Sequence, residues 1–351
     1  MTHLWVRAEQ REHEERVGLT PDGASQLLAA GIRVSVEESD VRAIPITGYL
    51  DAGCEIVAQN SWLDAPEDAI IFGLKELPED GTPLKHRHIM FGHAYKDQPD
   101  GQILLQRFRA GGGVLYDLEY LVGEDGRRVA AFGYWAGYAG AAVALKCWAA
   151  LKQGDICDPV ATYENADALI DDVSADLNST LLPRPNAIVI GALGRVGTGA
   201  RDLCAALDVK TNDWDMAETA HGGPFPEILD HDIFLNAILA SSGCPVFVQP
   251  SAKTAARHLS VIGDIACDPT SEFSPIKVYD RVTTWDNPAL RVHLDPPLDV
   301  TAIDNLPSLL PVESSQDFAG QLLPSLLTLI DLNGDVWGRA KAEFDHYLGL
   351  I

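Results

Sequence analysis

The chain has 351 residues, about twice the usual length of one domain, so two domains are expected, each able to bury its own core. Its 51 acidic and 26 basic side chains give a net charge of −25, which would repel both nucleic acids and anionic membranes. The six cysteines have no Cys-x-x-Cys spacing, so neither a metal site nor a disulfide scaffold is expected.

The pattern of residues 1–37 predicts a strand, a helix and a second strand. Residues 4–8 form the first predicted strand, and a charged loop with arginines and glutamates follows it. Thr20 is a suitable N-cap before Pro21, and Gly31 ends the predicted helix before the alternating strand at 33–37. The start of the chain has no basic segment followed by an apolar one, so no secretory signal is expected and a cytoplasmic location is predicted.

Polar residues directly follow several predicted strands. Lys75 and Glu76 end the run 69–76, His93 follows the run that begins at residue 89, and Glu119 follows the strand 114–118. A helix is predicted at 101–110 and a further strand at 127–133. In a doubly wound sheet, the carboxyl ends of the strands border the crevice where ligands bind. The sequence therefore predicts a site at this edge.

Residues 134–151 are apolar enough to resemble a membrane span, but Lys146 and the many Gly and Ala residues favour a closely packed buried helix. Residues 152–185 lack strong periodicity, which is typical of a covering or inter-domain segment. Later strands are predicted at 232–238 and 259–265, and residues 300–306 lead through Pro307 into the last helices. Helices at 314–329 and 335–348 are expected to cover the N-terminal part.

The run 187–200 has the form of a nucleotide-binding turn. A short apolar strand precedes Gly191, Gly194 and Gly197, which would permit a tight turn, close approach of a pyrophosphate and close helix packing. Asp215 ends the next predicted strand, where a carboxylate can accept hydrogen bonds from ribose hydroxyls. Because Met216 follows instead of a basic residue, NAD is favoured over NADP. The alternative for the glycines is a tight turn without a ligand. The alternative for Asp215 is an acidic side chain at a strand end that contacts only solvent.

Taken together, these patterns predict an α/β protein with two Rossmann-like doubly wound domains and a cleft between them. Residues 1–131 and 313–351 are expected to form a substrate-binding and catalytic domain. Residues 132–312 are expected to form an NAD-binding domain.

Several motifs in a fixed order resemble those of one enzyme family. They include GLKE at 73–76, GHAYKDQ at 92–98, YDLEYL at 116–121, GRRVAAFG at 126–133, IGALGRVGTGA at 190–200 and IDNLPSLLP at 303–311. The chain resembles the NAD-dependent, L-lysine-forming saccharopine dehydrogenases, which are related by fold to alanine dehydrogenase and to the transhydrogenase nucleotide domains. The resemblance implies reversible oxidation of saccharopine to lysine and 2-oxoglutarate through an imine.

The resemblance also implies that Lys75 and His93 are the acid–base pair. It further implies that Glu76 and Glu119 reduce the positive electrostatic potential around them. A lysine is a base near neutral pH only if desolvation or nearby cations, such as His93 and arginines, lower its pKa. Without the resemblance, Lys75 would be interpreted as a surface lysine in a salt bridge, and His93 as a core histidine whose hydrogen bonds are satisfied.

Saccharopine carries three carboxylates, so its site needs fixed cations. The implied substrate-binding residues are Arg16, Lys96, Gln98, Arg128, Phe132, Ala266, Cys267 and Asp268. For Arg16 the alternative is pairing with nearby glutamates, which is more strongly favoured for Arg11. The glycine motif and the resemblance together give the expected cofactor-binding residues: Arg127, Gly191, Gly194, Arg195, Gly197, Asp215, Thr219, Leu239, Ile265, Ile303, Asp304, Asn305 and Leu306.

Two motifs depart from the pattern of fungal members. Val196 stands in place of a cysteine, so no disulfide is expected at that turn, and Ala266-Cys267-Asp268 stands in place of Ser-Ala-Asp. Two other functions remain open: an alanine or other amino-acid dehydrogenase, and a non-enzymatic NAD-binding regulator. Small-molecule substrates are the expected partners. A monomer is compatible with the sequence.

Overall fold

The computed structural model describes residues 1–95 and 99–351, with the backbone alone for residues 99 and 100. The chain divides into two compact units. The first combines Met1–Ala131 with Pro311–Ile351, and the second is Phe132–Leu310. Each unit contains its own mainly parallel sheet with helices, so the predicted α/β class with two doubly wound sheets is confirmed.

The sheet of the first unit is parallel throughout its described strands, which run in the order β3-β2-β1-β4-β5-β6. These strands are β1 (His3–Val6), β2 (Arg33–Glu37), β3 (Glu55–Val57), β4 (Ile70–Phe72), β5 (Arg87–Met90) and β6 (Val114–Asp117). The order reverses between β1 and β4, and ligands of doubly wound sheets bind at such a reversal.

Five helices, numbered along the whole chain, belong to the described part of the first unit: α1 (Pro21–Ala29), α2 (Ile46–Asp51), α3 (Pro99–Gly111), α9 (Pro311–Leu326) and α10 (Asp335–Leu350). As expected from the sequence, the Thr20 side chain caps α1. Residues of α10 complete the core: Phe344 packs edge-on against Phe108 at 5.5 Å, and Trp337 against Tyr116 at 5.7 Å. The two ends of the chain therefore build one core.

The sheet of the second unit has the order β11-β12-β10-β9-β7-β8 and is parallel except for the β11–β12 pair. Its strands are β7 (Asn186–Ile190), β8 (Lys210–Trp214), β9 (Ile233–Asn236), β10 (Val261–Asp264), β11 (Leu290–Leu294) and β12 (Pro297–Thr301). The order reverses between β7 and β9, so the glycine-rich turn after β7 lies at the position where such sheets bind ligands.

The helices of the second unit are α4 (Gly133–Lys152), α5 (Ala166–Ser179), α6 (Arg195–Ala206), α7 (Met216–Thr219) and α8 (Pro226–Leu229). Helices α4 and α6 cross at very short range. A Cβ at Gly137 would lie 1.8 Å from the Val196 carbonyl oxygen, and one at Gly199 would lie 1.9 Å from that of Tyr134. Only glycine permits this approach. Across the described chain, every helix is too short or too polar to cross a bilayer.

Two sequence-based expectations are wrong. The strand predicted at 127–133 is reduced to one bridge between Arg128 and Val122, because Gly133 already begins the long helix α4. The segment 152–185 was expected to be irregular but contains α5, which begins after the N-cap Asn165. Its buried residues are spaced four apart, as one face of a helix requires: Leu169, Val173 and Leu177.

Candidate active site

Three of the predicted site residues follow neighbouring parallel strands in the first unit. Lys75 follows β4, His93 follows β5 and Glu119 follows β6. Because the carboxyl ends of parallel strands lie at one edge of a sheet, these side chains gather at the same edge. Arg16 belongs to the loop that leaves β1, which is the other neighbour of β4.

The main chain around Lys75 is held by two residues that the sequence analysis did not assign to the site. The Glu9 carboxylate accepts hydrogen bonds from the amides of Leu74 (2.6 Å) and Lys75 (3.0 Å). The guanidinium of Arg7 donates to the Lys75 carbonyl oxygen and lies 3.4 Å from Glu9. Both residues follow β1, and the position of their loop at the reversal of strand order is the signal that could have identified them.

The Lys75 ammonium has a pKa below the ordinary value. Burial is the largest cause, and the positive charges of Arg16 and Arg11 act in the same direction, while Glu14 and Glu76 oppose them. Desolvation and like charge both disfavour the protonated amine. Both effects move the pKa of Lys75 in the direction that a lysine base requires.

His93 lies between two carboxylates. Its Nε2 is 3.6 Å from Glu76 Oε1, and its Nδ1 is 3.6 Å from Glu119 Oε2. Glu119 in turn accepts a 2.6 Å hydrogen bond from Arg128. The backbone of His93 has φ = 47°, a conformation that is unfavourable for a side chain with a Cβ and is concentrated at functional sites. The imidazole is thus held at a strained position, with an acceptor near each nitrogen.

The arginines predicted to bind substrate differ in their surroundings. Arg16 is buried and forms a bidentate ion pair with Glu14, at 2.7 and 2.5 Å. Burial raises the pKa of Glu14, but the charge and hydrogen bonds of Arg16 lower it further, so the net pKa is below the ordinary value. The pairing that the sequence offered as the alternative for Arg16 is therefore present. Arg127 is 86% exposed and lies 3.8 Å from Asp125.

The glycine-rich turn after β7 has the geometry of a phosphate-binding loop. Gly191 has φ = 88°, which favours glycine, and a Cβ at Gly197 would lie 2.2 Å from the Gly191 carbonyl oxygen. Gly194, the N-cap of α6, is different, because a Cβ there would meet only that same oxygen at 3.5 Å. The fold therefore requires Gly191 and Gly197, whereas Gly194 leaves open space before the first turn of α6. This arrangement fits a dinucleotide pyrophosphate.

Asp215 joins the end of β8 to this turn. Its Oδ2 accepts a 3.1 Å hydrogen bond from the Leu193 amide, and its Oδ1 accepts one from the Met216 amide. Thr219 donates its hydroxyl to the Asp215 carbonyl oxygen. The carboxylate is partly exposed beside the glycine turn, where a ribose could contact it.

The remaining predicted residues of the second unit also follow its strands. Leu239 follows β9 and is 69% exposed, the turn Ile265–Asp268 follows β10, and residues 303–306 follow β12. In that turn Cys267 has φ = 53° and donates its thiol to the Ala302 carbonyl oxygen at 3.1 Å. Burial raises the pKa of Cys267 to about 12.

Among the other predicted residues, Asn305 accepts a 2.8 Å hydrogen bond from the Trp285 indole. Phe132 is the N-cap residue of α4, and Arg195 is exposed at the start of α6. Lys96 and Gln98 lie outside the described residues.

Comparison with known proteins shows to which family the chain belongs. A Neurospora crassa protein named saccharopine dehydrogenase [NAD(+), L-lysine-forming] is 47% identical, over 100% of this chain and 97% of that protein. A Candida albicans protein of the same name is 44% identical, over 99% of this chain and 97% of that protein. The chain belongs to the saccharopine dehydrogenase family.

The fold of this saccharopine dehydrogenase family member is shared more widely. Residues 5–139 match the family model described as alanine dehydrogenase/PNT, N-terminal domain. An L-alanine dehydrogenase structure superposes with a TM-score of 0.69 at 17% identity, covering 99% of this chain and 94% of that one. A transhydrogenase from Sinorhizobium meliloti superposes with a TM-score of 0.58 at 16% identity, covering 94% of this chain and 95% of that one. At these identities the likeness concerns the fold alone.

Proposed function

We propose that the protein catalyses the reversible reaction of saccharopine, NAD⁺ and water to give lysine, 2-oxoglutarate, NADH and a proton. The observation that carries this proposal is the lowered pKa of the partly buried Lys75, whose neighbour Glu76 also lies 3.6 Å from His93, in a chain of this family. Oxidation of the secondary amine gives an imine, and water then adds to it. Both steps require proton transfer at nitrogen or oxygen.

Lys75 and His93 are the proposed acid–base pair of the first unit. A neutral Lys75 can accept the proton of the substrate amine or of the attacking water, and His93 can exchange a proton at either ring nitrogen. Glu76 and Glu119, each 3.6 Å from the imidazole, balance the positive charge that develops there. The catalytic domain predicted from the sequence, residues 1–131 and 313–351, would therefore supply the acid–base chemistry.

Arg128 and Arg16 are the proposed partners of substrate carboxylates. Arg128 has a partly exposed guanidinium, and its ion pair with Glu119 orients this group. An oriented guanidinium can form two parallel hydrogen bonds with a carboxylate. Arg16 is already paired with Glu14, so its proposed contribution is a fixed positive field together with any donor that remains directed at the ligand. Residues proposed to complete the substrate site are Lys96, Gln98, Phe132, Ala266, Cys267 and Asp268.

The NAD-binding domain predicted from the sequence, residues 132–312, would bind NAD, which accepts a hydride from the substrate when bound. Support comes from the open space at Gly194 and from Asp215, whose charge would oppose the 2′-phosphate of NADP. The other proposed contacts are Arg127, Gly191, Arg195, Gly197, Thr219, Leu239, Ile265, Ile303, Asp304, Asn305 and Leu306.

The decisive assay is NADH oxidation with lysine plus 2-oxoglutarate, compared with ammonia plus pyruvate. We expect turnover with the first pair only. Preferential use of ammonia and pyruvate would instead support an alanine dehydrogenase, and NADH binding without turnover of either pair would support a regulator.

Lys75→Met and His93→Gln should fold and bind NADH but lose about a hundredfold or more in turnover. Lys85→Met and His346→Gln, at exposed positions in the same unit, are matched controls that should retain the rate. Near-normal rates in both site variants would contradict the acid–base assignment.

We further propose that the protein acts in the cytoplasm, as a monomer, without nucleic-acid or membrane partners. All six cysteines are unpaired thiols, as a reducing compartment favours. The net charge of −25 opposes binding to anionic polymers and surfaces. Light scattering of the purified protein would test the oligomeric state.

A further inference from the structure

Asp117, the last residue of β6, has a fully buried side chain. Its Oδ1 accepts a 2.9 Å hydrogen bond from the Glu119 amide, whereas Oδ2 has no hydrogen-bond partner within residues 1–95 and 99–351. A buried carboxylate with an unsatisfied oxygen reduces stability, because its lost hydration is not replaced. Packing alone therefore does not explain an aspartate at this position.

The carboxylate of Asp117 lies between the segments that carry His93 and Glu119. A Cβ at Gly92 would lie 3.2 Å from Asp117 Oδ2, so the main chain just before His93 passes directly over this oxygen. Within the described structure, the Gly92 amide and His93 act on the carboxylate from the loop after β5, and Glu119 acts on it from the loop after β6. Tyr95 and Tyr120, farther along these two loops, also interact with it electrostatically.

These neighbours have opposite effects on ionisation. Burial, the largest effect, raises the pKa of Asp117 to about 6, and the charge of Glu119 raises it as well. The amides of Glu119 and Gly92 and a positive charge on His93 favour the ionised form and lower the pKa. Above pH about 6 the group therefore carries a negative charge directed at two backbone segments, and below that pH it takes up a proton and loses this charge.

We propose that Asp117 is a positioning residue, whose buried carboxylate fixes the loops that present His93 and Glu119 to each other. This inference rests on the proposed function, because it assigns Asp117 to the same proton transfers. The carboxylate anchors the Glu119 amide directly and attracts the Gly92 amide, which adjoins the strained backbone of His93. Asp117 thereby acts through His93 without contacting substrate.

The test compares wild type with Asp117→Asn, which keeps the shape and an acceptor oxygen but cannot carry a charge. At about pH 8 we expect kcat to fall about tenfold in the variant, with KM values and NADH affinity unchanged. The ratio of the two kcat values should approach one at about pH 5, because wild-type Asp117 is then protonated and resembles asparagine. Dividing one rate by the other removes the titration of substrate and of groups that Asp117 does not influence.

The matched control is Glu37→Gln, a change at another buried strand-end carboxylate of the first unit. Its hydrogen-bond donors are the Trp5 indole and the amides of Ala8, Asn60 and Trp62. Any loss of rate in this variant should be independent of pH. The proposal is overturned if the ratio of the Asp117→Asn kcat to the wild-type kcat is one at every pH, or if this ratio does not vary with pH.

A second readout requires no turnover and so separates this proposal from the proposed function. In protein labelled with ¹⁵N-histidine, the His93 signal, assigned by its loss in His93→Gln, should shift in Asp117→Asn but not in Glu37→Gln. An unchanged His93 signal contradicts the positioning role even if lysine is turned over. If wild type does not use lysine, the proposed function fails and the NMR comparison still decides the role of Asp117. Asp117→Ser, smaller but still an acceptor, replaces the asparagine variant if that variant does not fold.

Discussion

The Arg128 guanidinium donates a 2.6 Å hydrogen bond to the Glu119 carboxylate, although 41% of the Arg128 side chain remains exposed. The pair orients a guanidinium that still has donors available for a ligand. Arg128→Ala should therefore weaken binding of the carboxylate of 2-oxoglutarate. A charge-assisted hydrogen bond contributes about 1.5–3 kcal/mol, and partial exposure favours the lower end, so KM for 2-oxoglutarate should rise about tenfold.

Steady-state kinetics measure KM for 2-oxoglutarate, and a fluorescence titration measures the binding of NADH. Arg128→Lys should recover part of the loss, because it restores the charge without the planar fork. Arg127→Ala is the neighbouring control and should leave KM for 2-oxoglutarate unchanged. If Arg128→Ala instead weakens NADH binding alone, the assignments of Arg127 and Arg128 are reversed.

The charges around Lys75 predict opposite shifts in the pH profile for saccharopine oxidation. Arg11 lowers the pKa of Lys75, so Arg11→Gln should raise that pKa and move the profile to higher pH. Glu76 opposes this lowering, so Glu76→Gln should move the profile to lower pH. The pH at half-maximal kcat/KM is the measurement, and Arg33→Gln, at a pair with Glu55 elsewhere in the unit, is the control. Shifts of the same sign in both variants would rule out Lys75 as the titrating base.

Two glycines of the nucleotide turn should respond differently to the same added methyl group. Gly194→Ala is compatible with the backbone and with the protein atoms nearby, so the melting temperature should not change while NADH binding weakens about tenfold. Gly197→Ala would place a Cβ 2.2 Å from the Gly191 oxygen, and such overpacking costs about 1–3 kcal/mol or more. Thermal melts and NADH titrations test both. Unimpaired NADH binding by Gly194→Ala would show that the pyrophosphate does not approach this residue.

Asp215 should determine the preference for NAD over NADP. Wild type is expected to have a far lower kcat/KM with NADP, because a 2′-phosphate would approach this carboxylate. Asp215→Ser should narrow the difference by reducing activity with NAD and relieving the repulsion of NADP. Glu218→Gln is the control, since Glu218 only caps the Asp215 amide at 2.8 Å. Equal efficiencies of wild type with the two cofactors would refute this role.

The positions of the site residues could be predicted more readily than their contacts. Apolar runs followed by Lys75 or His93 identify strand ends, and the sheet order then places these residues at one edge. Pairing of Arg16 with a nearby glutamate was only an alternative in the sequence, and Glu14 could not be identified as the partner, because this depends on how an irregular loop folds back on itself. The strand predicted at 127–133 was wrong, because an apolar run of this length shows no periodicity that distinguishes a strand from the start of a helix. Helix α5 was missed because its acidic surface obscured a regular apolar face.

The first unit draws its residues from both ends of the chain, and this has a consequence during protein synthesis. Residues 1–131 leave the ribosome about 180 residues before α9 and α10 do, a delay of roughly 10–40 s at ordinary elongation rates. Throughout that interval Phe108 and Tyr116 lack the aromatic partners Phe344 and Trp337. The second unit is continuous in sequence and can fold as soon as it emerges. Nascent chains should therefore contain a folded middle segment while the N-terminal sheet still exposes apolar surface, the state in which chaperones bind newly made proteins.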